Sequence, residues 1–325
     1  MQTKTAVLYL FEKNSVASQR YRLENVVNFL GENNFKIIYL KKGIINLFIN
    51  ELKIIKCFKY DKILFNRWPT HVGFSFSLIF LSFFSKIIFD FDDAIWTSEK
   101  KKLINIYKNL VFKIHCFISY KIICGNIFLK NKTNSNKSLV IPTSLDNKFF
   151  NNKINLNNNK IIHFGWSGSN STINYLEDVL PSFDRLYKEN KNFKLLYMSD
   201  KPSELLELKA YSSFKKWSIK TEINFIDCID CGIMPLKNSE WENGKCGFKL
   251  IQYLSRGKFS LASYSQVNKF LLSSGRGKIV YDEWFNSLME SFEHFPSKIN
   301  NSSINFIKNN YSIQSHKELL SKLLT

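Results

Sequence analysis

Short apolar runs alternate with amphipathic segments along this chain, and the alternation is interrupted once. The runs TAVLYLF (5–11), KIIYL (36–40), DKILFNR (61–67), KIIFDFDDAIW (86–96), KIICGN (121–126) and SLVIPTSLD (138–146) are rich in β-branched and aromatic residues. Between them, SQRYRLENVVNFLGENN spaces Leu23, Val26, Val27 and Leu30 as a helix does, and 72–84 and 99–120 read as further helices. Strands separated by helices predict an α/β architecture: a parallel sheet covered on both faces. NNKINLNNNK (151–160) is polar and aperiodic, and reads as a linker. The alternation then restarts. IIHFGWSGS gives a strand and a glycine turn, STINYLEDVLPSFDRLYKENKN an amphipathic helix, FKLLYMSD a strand, and EINFIDCIDCGIMPL one or two more. This order divides the chain into a domain at 1–152 and another at 153–303. Two such units joined by a linker leave a cleft between them, where small-molecule sites form.

The bulk numbers agree. A chain of 325 residues exceeds what one core usually organises, and 45% hydrophobic residues with 30 Phe supply material for two. Lys and Arg outnumber Asp and Glu by 46 to 27, a net charge of +19, which favours anionic partners. The lysines are scattered, and neither zinc-finger spacing nor an aromatic-basic RNA-binding signature occurs, so nucleic acid is not the expected partner. An anionic membrane surface or a phosphorylated small molecule remains. The six cysteines sit mostly in apolar runs; Cys228 and Cys231 form a C-x-x-C in what reads as a buried strand, structural rather than metal-binding or redox-active. Reduced buried thiols suit a cytoplasmic protein. The opening MQTKTAVLYLF shows no cleavable signal, and VGFSFSLIFLSFF (72–84) falls short of the ~20 residues that span a bilayer. The expected location is cytoplasmic, peripheral on the inner face of the membrane.

Three stretches carry chemistry. Gly165, Trp166, Ser167, Gly168 and Ser169 follow a strand and precede a helix. They read either as an ordinary strand–helix turn or as an anion site, where free N–H groups at the helix start, capped by Ser169, Ser171 or Thr172, meet a phosphate. In WENGKCGFKLIQYL, Lys245 and Lys249 are four apart and would share a helical face, with Gly244 and Gly247 beside them. Glycines are costly at a helix start that only faces solvent. Asp90, Asp92 and Asp93 close the strand KIIF, at the sheet edge where ligands bind in parallel folds; they read as ligand-facing or as caps of the next helix. The histidines show no ligand spacing, and His71 sits in a loop after the strand KILFN.

IHFGWSGSNSTINYLEDVLPSF followed by CIDCGIMPLKNSEWENGKCGFKLIQYLSRGKFSLAS resembles the donor half of bacterial GT-B glycosyltransferases, nearest the retaining group-1 branch that builds surface polysaccharides. SQRYRL, KIIFDFDDAIW, CGNIFLKN and VIPTSLD agree with the family's first half, and NNYSIQSHKELLSKLL with its last helices. The resemblance implies two Rossmann-like domains facing each other across a cleft, with a C-terminal helix (304–325) returning to the first domain. It implies a nucleoside-diphosphate sugar donor in the second domain, a saccharide or lipid-linked acceptor in the first, no metal and no resident cofactor. Gly165, Trp166, Ser167, Gly168, Ser169, Lys245, Gly247, Phe248 and Gln252 would bind the donor. Lys249 would neutralise the departing diphosphate, where a fixed cation lowers the barrier. Asp92 and Asp93 would meet sugar hydroxyls or the acceptor; Arg20, Arg22 and His71 would meet the acceptor, with Arg20 or Arg22 also fitting a phosphate. The sequence departs from the family at its usual pair of glutamates eight residues apart. Gly244 and Gln252 stand there, and Glu240 or Glu242 is the candidate replacement. Two other functions compete: a relative that binds nucleotide sugars without turnover, and a metal-dependent enzyme using the Asp-x-Asp of DFD in a single domain.

Overall fold

The computed structural model describes residues 5–10, 12–13, 16–41, 46–67, 72–97, 102–151, 161–293 and 299–325. Two compact units emerge: residues 1–146, 243–246 and 311–325 form the first, and 147–242 with 247–310 the second. The expected boundary near 152 falls among residues outside those described.

The first unit holds a six-stranded parallel sheet in the order β2-β1-β3-β4-β5-β6. Its strands are β1 Thr5–Tyr9, β2 Phe35–Tyr39, β3 Lys62–Asn66, β4 Lys86–Phe91, β5 Lys121–Cys124 and β6 Ser138–Val140. They form where the apolar runs predict: β2 starts one residue before its run and is as long, and the others are two or more residues shorter. Helices Leu47–Ile55, Val72–Ser82, Lys102–Ile118 and Ile127–Thr133 connect them. Parallel pairing demands such crossovers. Residues 311–325 complete this core: Ile313, Leu320 and Leu324 pack with Val7, Leu23, Val27 and Leu64, and Thr5 Oγ1 donates to Leu324 O at 2.6 Å.

The second unit repeats the plan, in the order β12-β11-β10-β7-β8-β9. Here β7 is Ile162–Ser167, β8 Phe193–Ser199, β9 Ser212–Lys216, β10 Cys231–Met234, β11 Phe259–Ser263 and β12 Gly277–Val280. Three expectations change. EINFIDC is the helix Glu222–Cys228, because Ile223, Phe225 and Ile226 bury one face while the segment lies outside the sheet. Cys228 therefore ends a helix and is exposed, and Cys231 alone of the C-x-x-C pair sits in a strand. The single amphipathic helix after β7 is a 3-10 turn series, Asn170–Asp178, followed by an α-helix, Leu180–Lys188, with Pro181 in its first turn. Proline fits there because the first N–H groups of a helix have no internal partner. The strand β9 has no apolar run and was not expected.

Candidate functional site

The turn after β7 is the most structured candidate. Lys249, in the first turn of the helix Phe248–Ser255, lays its ammonium 4.3 Å from the centre of the Trp166 ring. A methyl at Gly168 would stand 2.6 Å from that ring and 2.8 Å from the Lys249 Nζ, so glycine is what lets the cation reach the backbone. The helix itself starts from Gly247 at φ 64°, a left-handed conformation that side chains resist. Tyr253, one turn on, is fully buried and accepts the Ser167 N–H at 3.0 Å. Burial pushes its hydroxyl up to about 12, so it stays neutral at physiological pH.

Two expectations about this turn are corrected. Two of its amides are engaged rather than free: Gly168 N donates to Met198 O at 3.0 Å and Asn170 N to Asp200 Oδ1 at 2.6 Å. The bond from Asn170, more than any other influence, holds the Asp200 carboxyl below its ordinary range. Ser169 makes no side-chain cap; its hydroxyl meets Ser171 Oγ at 2.9 Å, and Thr172 donates back to Ser169 O at 3.0 Å. Lys245 does not share a helical face with Lys249, because the helix begins only after Gly247 and residues 243–246 belong to the first unit. Lys249 brings positive charge to the turn.

Other members of the expected donor set are nearby in sequence but differently employed. Gln252 is 4% exposed, and its amide nitrogen has no hydrogen-bond partner among the described residues; the Trp166 indole nitrogen is in the same position. Buried polar groups left unpaired are costly, so each is a donor that a bound molecule can use. Glu242, by contrast, is 1% exposed and accepts from Tyr175 Oη at 2.6 Å and from Ser239 Oγ.

The first unit gathers a charged cluster where β3, β4 and β5 end. Arg67, in a left-handed conformation at φ 60°, ion-pairs with Asp93, and its Nε lies 3.4 Å from Asp92 Oδ1. Burial pushes the Asp92 carboxyl up; Arg67 opposes this and Asp93 reinforces it. Arg67 escaped the sequence reading, although an arginine closing a strand beside an aspartate-rich strand end was the available signal. Asn126 caps the helix Ile127–Thr133 by accepting from Leu129 N, and donates to Gly244 O at 3.0 Å. The Cys246 thiol donates to Asp92 O at 3.0 Å, so the segment 243–246 lies against this same edge.

Arg22 and Asp90 are not part of that open edge. Arg22 Nε sits 2.8 and 3.0 Å from the two Asp90 oxygens, Nη1 donates to Ile141 O at 2.9 Å, and both side chains are buried. Asn66 also donates to Asp90. The expectation that Arg22 meets an acceptor or phosphate is thus corrected: a carboxylate inside the sheet needs a counter-charge, and Arg22 supplies it. Asp90, the first carboxylate of the Asp-x-Asp, has no face left for a cation, which removes the ground for the metal-dependent alternative. Arg20 is also buried, its guanidinium 4.8 Å from the Tyr21 ring. His71 lies outside the described residues.

No protein family and no curated protein matches the chain. Among solved structures it is similar to HepE of Anabaena in complex with UDP and glucose, at 11% identity, covering 99% of each chain with a TM-score of 0.72. It is also similar to sucrose-phosphate synthase of Thermosynechococcus elongatus, at 11% identity, 99% and 98% coverage and a TM-score of 0.75. A third is the catalytic domain of starch synthase IV from Arabidopsis thaliana bound to ADP and acarbose, at 10% identity, 99% coverage of each and 0.63. The fold is that of the GT-B glycosyltransferases. At these identities the likeness concerns the path of the chain. In this GT-B chain, Lys249 beside the Gly168 turn and the cluster of Arg67, Asp92 and Asp93 are what the side chains themselves add.

Proposed function

We propose that this chain is a glycosyltransferase that moves a sugar from a nucleoside-diphosphate sugar to a saccharide or lipid-linked acceptor, in the building of a bacterial surface polysaccharide. The observation that carries the proposal is the Lys249 ammonium held against the Gly168 turn at the end of β7. A strand end of a parallel sheet, a bare backbone and a fixed cation suit a diphosphate, and the cation gains most as the departing diphosphate takes up charge. HepE, of like fold over 99% of both chains, binds UDP and glucose, which supports a nucleotide sugar here. The Gln252 amide and the Trp166 indole would complete their hydrogen bonding on the donor. Asp92 and Asp93, steadied by Arg67, would hold hydroxyls of the acceptor. The reaction we assign retains the anomeric configuration and needs neither metal nor resident cofactor, Lys249 standing where a cation acts in other enzymes.

The test is a thermal-shift series with UDP, ADP and GDP on the purified protein, followed by nucleotide-sugar hydrolysis. One diphosphate should stabilise the fold by about 2.7 kcal/mol when present at about a hundred times its Kd. Lys249→Ala should weaken it by about ten- to hundred-fold, the worth of a charge-assisted bond of about 1.5–3 kcal/mol. Stabilisation by no nucleoside diphosphate would end the proposal. Tight binding without turnover toward any sugar acceptor would leave a nucleotide-sugar-binding relative.

A further inference from the structure

The edge of the first sheet opposite Asp92 and Asp93, where β3, β4, β5 and β6 begin, has an unusual surface. Phe83 is 79% exposed and Phe117 82%, and Phe58, Phe84 and Tyr120 are also exposed. Most apolar side chains of this size retreat from water, and a contiguous exposed apolar patch marks an interaction surface. The chain segments that carry these rings are neighbours. Lys86 N donates to Asp61 O at 2.7 Å, Ser85 Oγ to Tyr60 O at 2.6 Å, and Tyr120 N to Ile87 O at 2.8 Å, which ties the three strand entries together.

Cations stand beside the two tyrosines and the Phe117 carbonyl. Lys86 Nζ lies 5.0 Å and Lys121 Nζ 5.7 Å from the Tyr120 ring centre, Lys59 Nζ lies 5.5 Å from that of Tyr60, and Lys137 Nζ donates to Phe117 O at 3.1 Å. Lys62 is the register partner of Lys86 on the neighbouring strand. Among the described residues none of these lysines forms an ion pair. Asp61 is the one acidic residue within three positions before any of these strands. Helix C-termini end here, and their dipoles favour lysines by themselves. They give no reason for five exposed rings.

We propose that this edge is a docking surface for an anionic lipid bilayer. Aromatic rings partition into the headgroup region while lysine stems lie along apolar surface and their ammonium groups meet phosphates. No helix among the described residues is long and apolar enough to cross a membrane, so contact would be at the surface. A second copy of the chain is the poorer occupant, because two such faces would oppose lysine to lysine. The inference stands apart from the assignment of Lys249, which lies in the other unit.

Co-sedimentation with vesicles of phosphatidylcholine, with and without phosphatidylglycerol, tests it. The protein should bind the anionic vesicles and release at high salt. The pair Lys86→Glu and Lys121→Glu should weaken binding by at least about thirty-fold, from the loss of two well-placed lysines. Phe83→Ser with Phe117→Ser should weaken it without changing net charge. The exposed pair Lys188→Glu and Lys201→Glu in the second unit makes the same charge change and should have little effect. Both edge variants should keep the thermal shift with nucleoside diphosphate, which separates this inference from the proposed function. Equal losses in the edge and control pairs would reduce the binding to net charge and overturn the proposal. So would edge variants that bind like the parent, or tight binding of single-stranded RNA by this face in place of vesicles.

Discussion

Three strands of the second unit, β9, β11 and β12, begin beside cations that hydrogen bonds hold in place. Arg256, before β11, is fully buried, and its Nε and Nη2 reach the two oxygens of Asp227 at 2.8 and 2.9 Å. Lys258 donates to Asp227 O at 2.9 Å, Lys209 to Asp184 Oδ2 at 2.7 Å, and Arg276 to Leu271 O at 2.7 Å. The strands of the first unit begin with Lys62, Lys86 and Lys121, which no carboxylate pairs among the described residues, beside rings that stay exposed. One sheet architecture thus carries two finishes. A buried cation is tolerated only where partners replace the water it loses. An exposed one beside an exposed ring costs the fold little and gains little from it, so its presence points outward, to a partner.

The largest expected effect lies in the second unit. Arg256→Met strands Asp227 and the Phe149 carbonyl, which accepts from Arg256 Nη1 at 3.0 Å. The loss should be about 3–5 kcal/mol, as for one half of any buried pair. Lys86→Met on the first unit's edge should stay within about 0.5 kcal/mol. Chemical denaturation of both variants measures the contrast, and comparable losses would erase the distinction between the two edges.

Acid should act on the first unit through its core. His115 is fully buried with Phe65 and Phe89 edge-on at 5.2 and 5.4 Å, and burial lowers its pKa to about 3. Its folded pKa lies below the ordinary value of about 6.5, so the unfolded chain takes up a proton that the folded one refuses. The stability this group contributes is complete above about pH 6.5 and is lost as pH falls toward about 3, by up to about 1.4 kcal/mol per unit. His115→Leu should flatten that part of the acid limb. In the second unit the one described histidine, His163, is only half-buried on β7. Unfolding free energies measured against pH, with the same slope in parent and variant, would refute the assignment.

Much of this was legible beforehand because strand and helix periods are local. The two alternations give both sheets, and IHFGWSGS with LIQYL already marks the two elements that bring Gly168 and Lys249 together. Local pattern misleads where packing decides. EINFIDC has the composition of a strand, yet it forms a helix because its place in the chain lies outside the sheet. The spacing of Lys245 and Lys249 suggests one face, but Gly247 starts the helix between them. Arg22 and Glu242 look like ligand groups in sequence, and only tertiary contacts reveal Asp90 and Tyr175 as their partners. The amides of Ser167, which ends β7, and of Asn170 after it are also engaged by residues 30 or more positions away, Tyr253 and Asp200, which no motif announces.

The smallest expected effect probes the basic edge directly. The Lys62 ammonium is held below its ordinary pKa, first by partial burial and then by Lys86, with Asp61 opposing. Removing the neighbour in Lys86→Gln should let the Lys62 pKa rise part of the way, because burial remains. Anionic vesicles should raise it too, by supplying the counter-charge that the edge lacks. Titration of Lys62 by NMR of isotope-labelled lysine reads both changes. A rise in the variant without a rise on vesicles would mean that the two lysines crowd each other but face only water. In that case the contrast between the two edges would be one of packing alone.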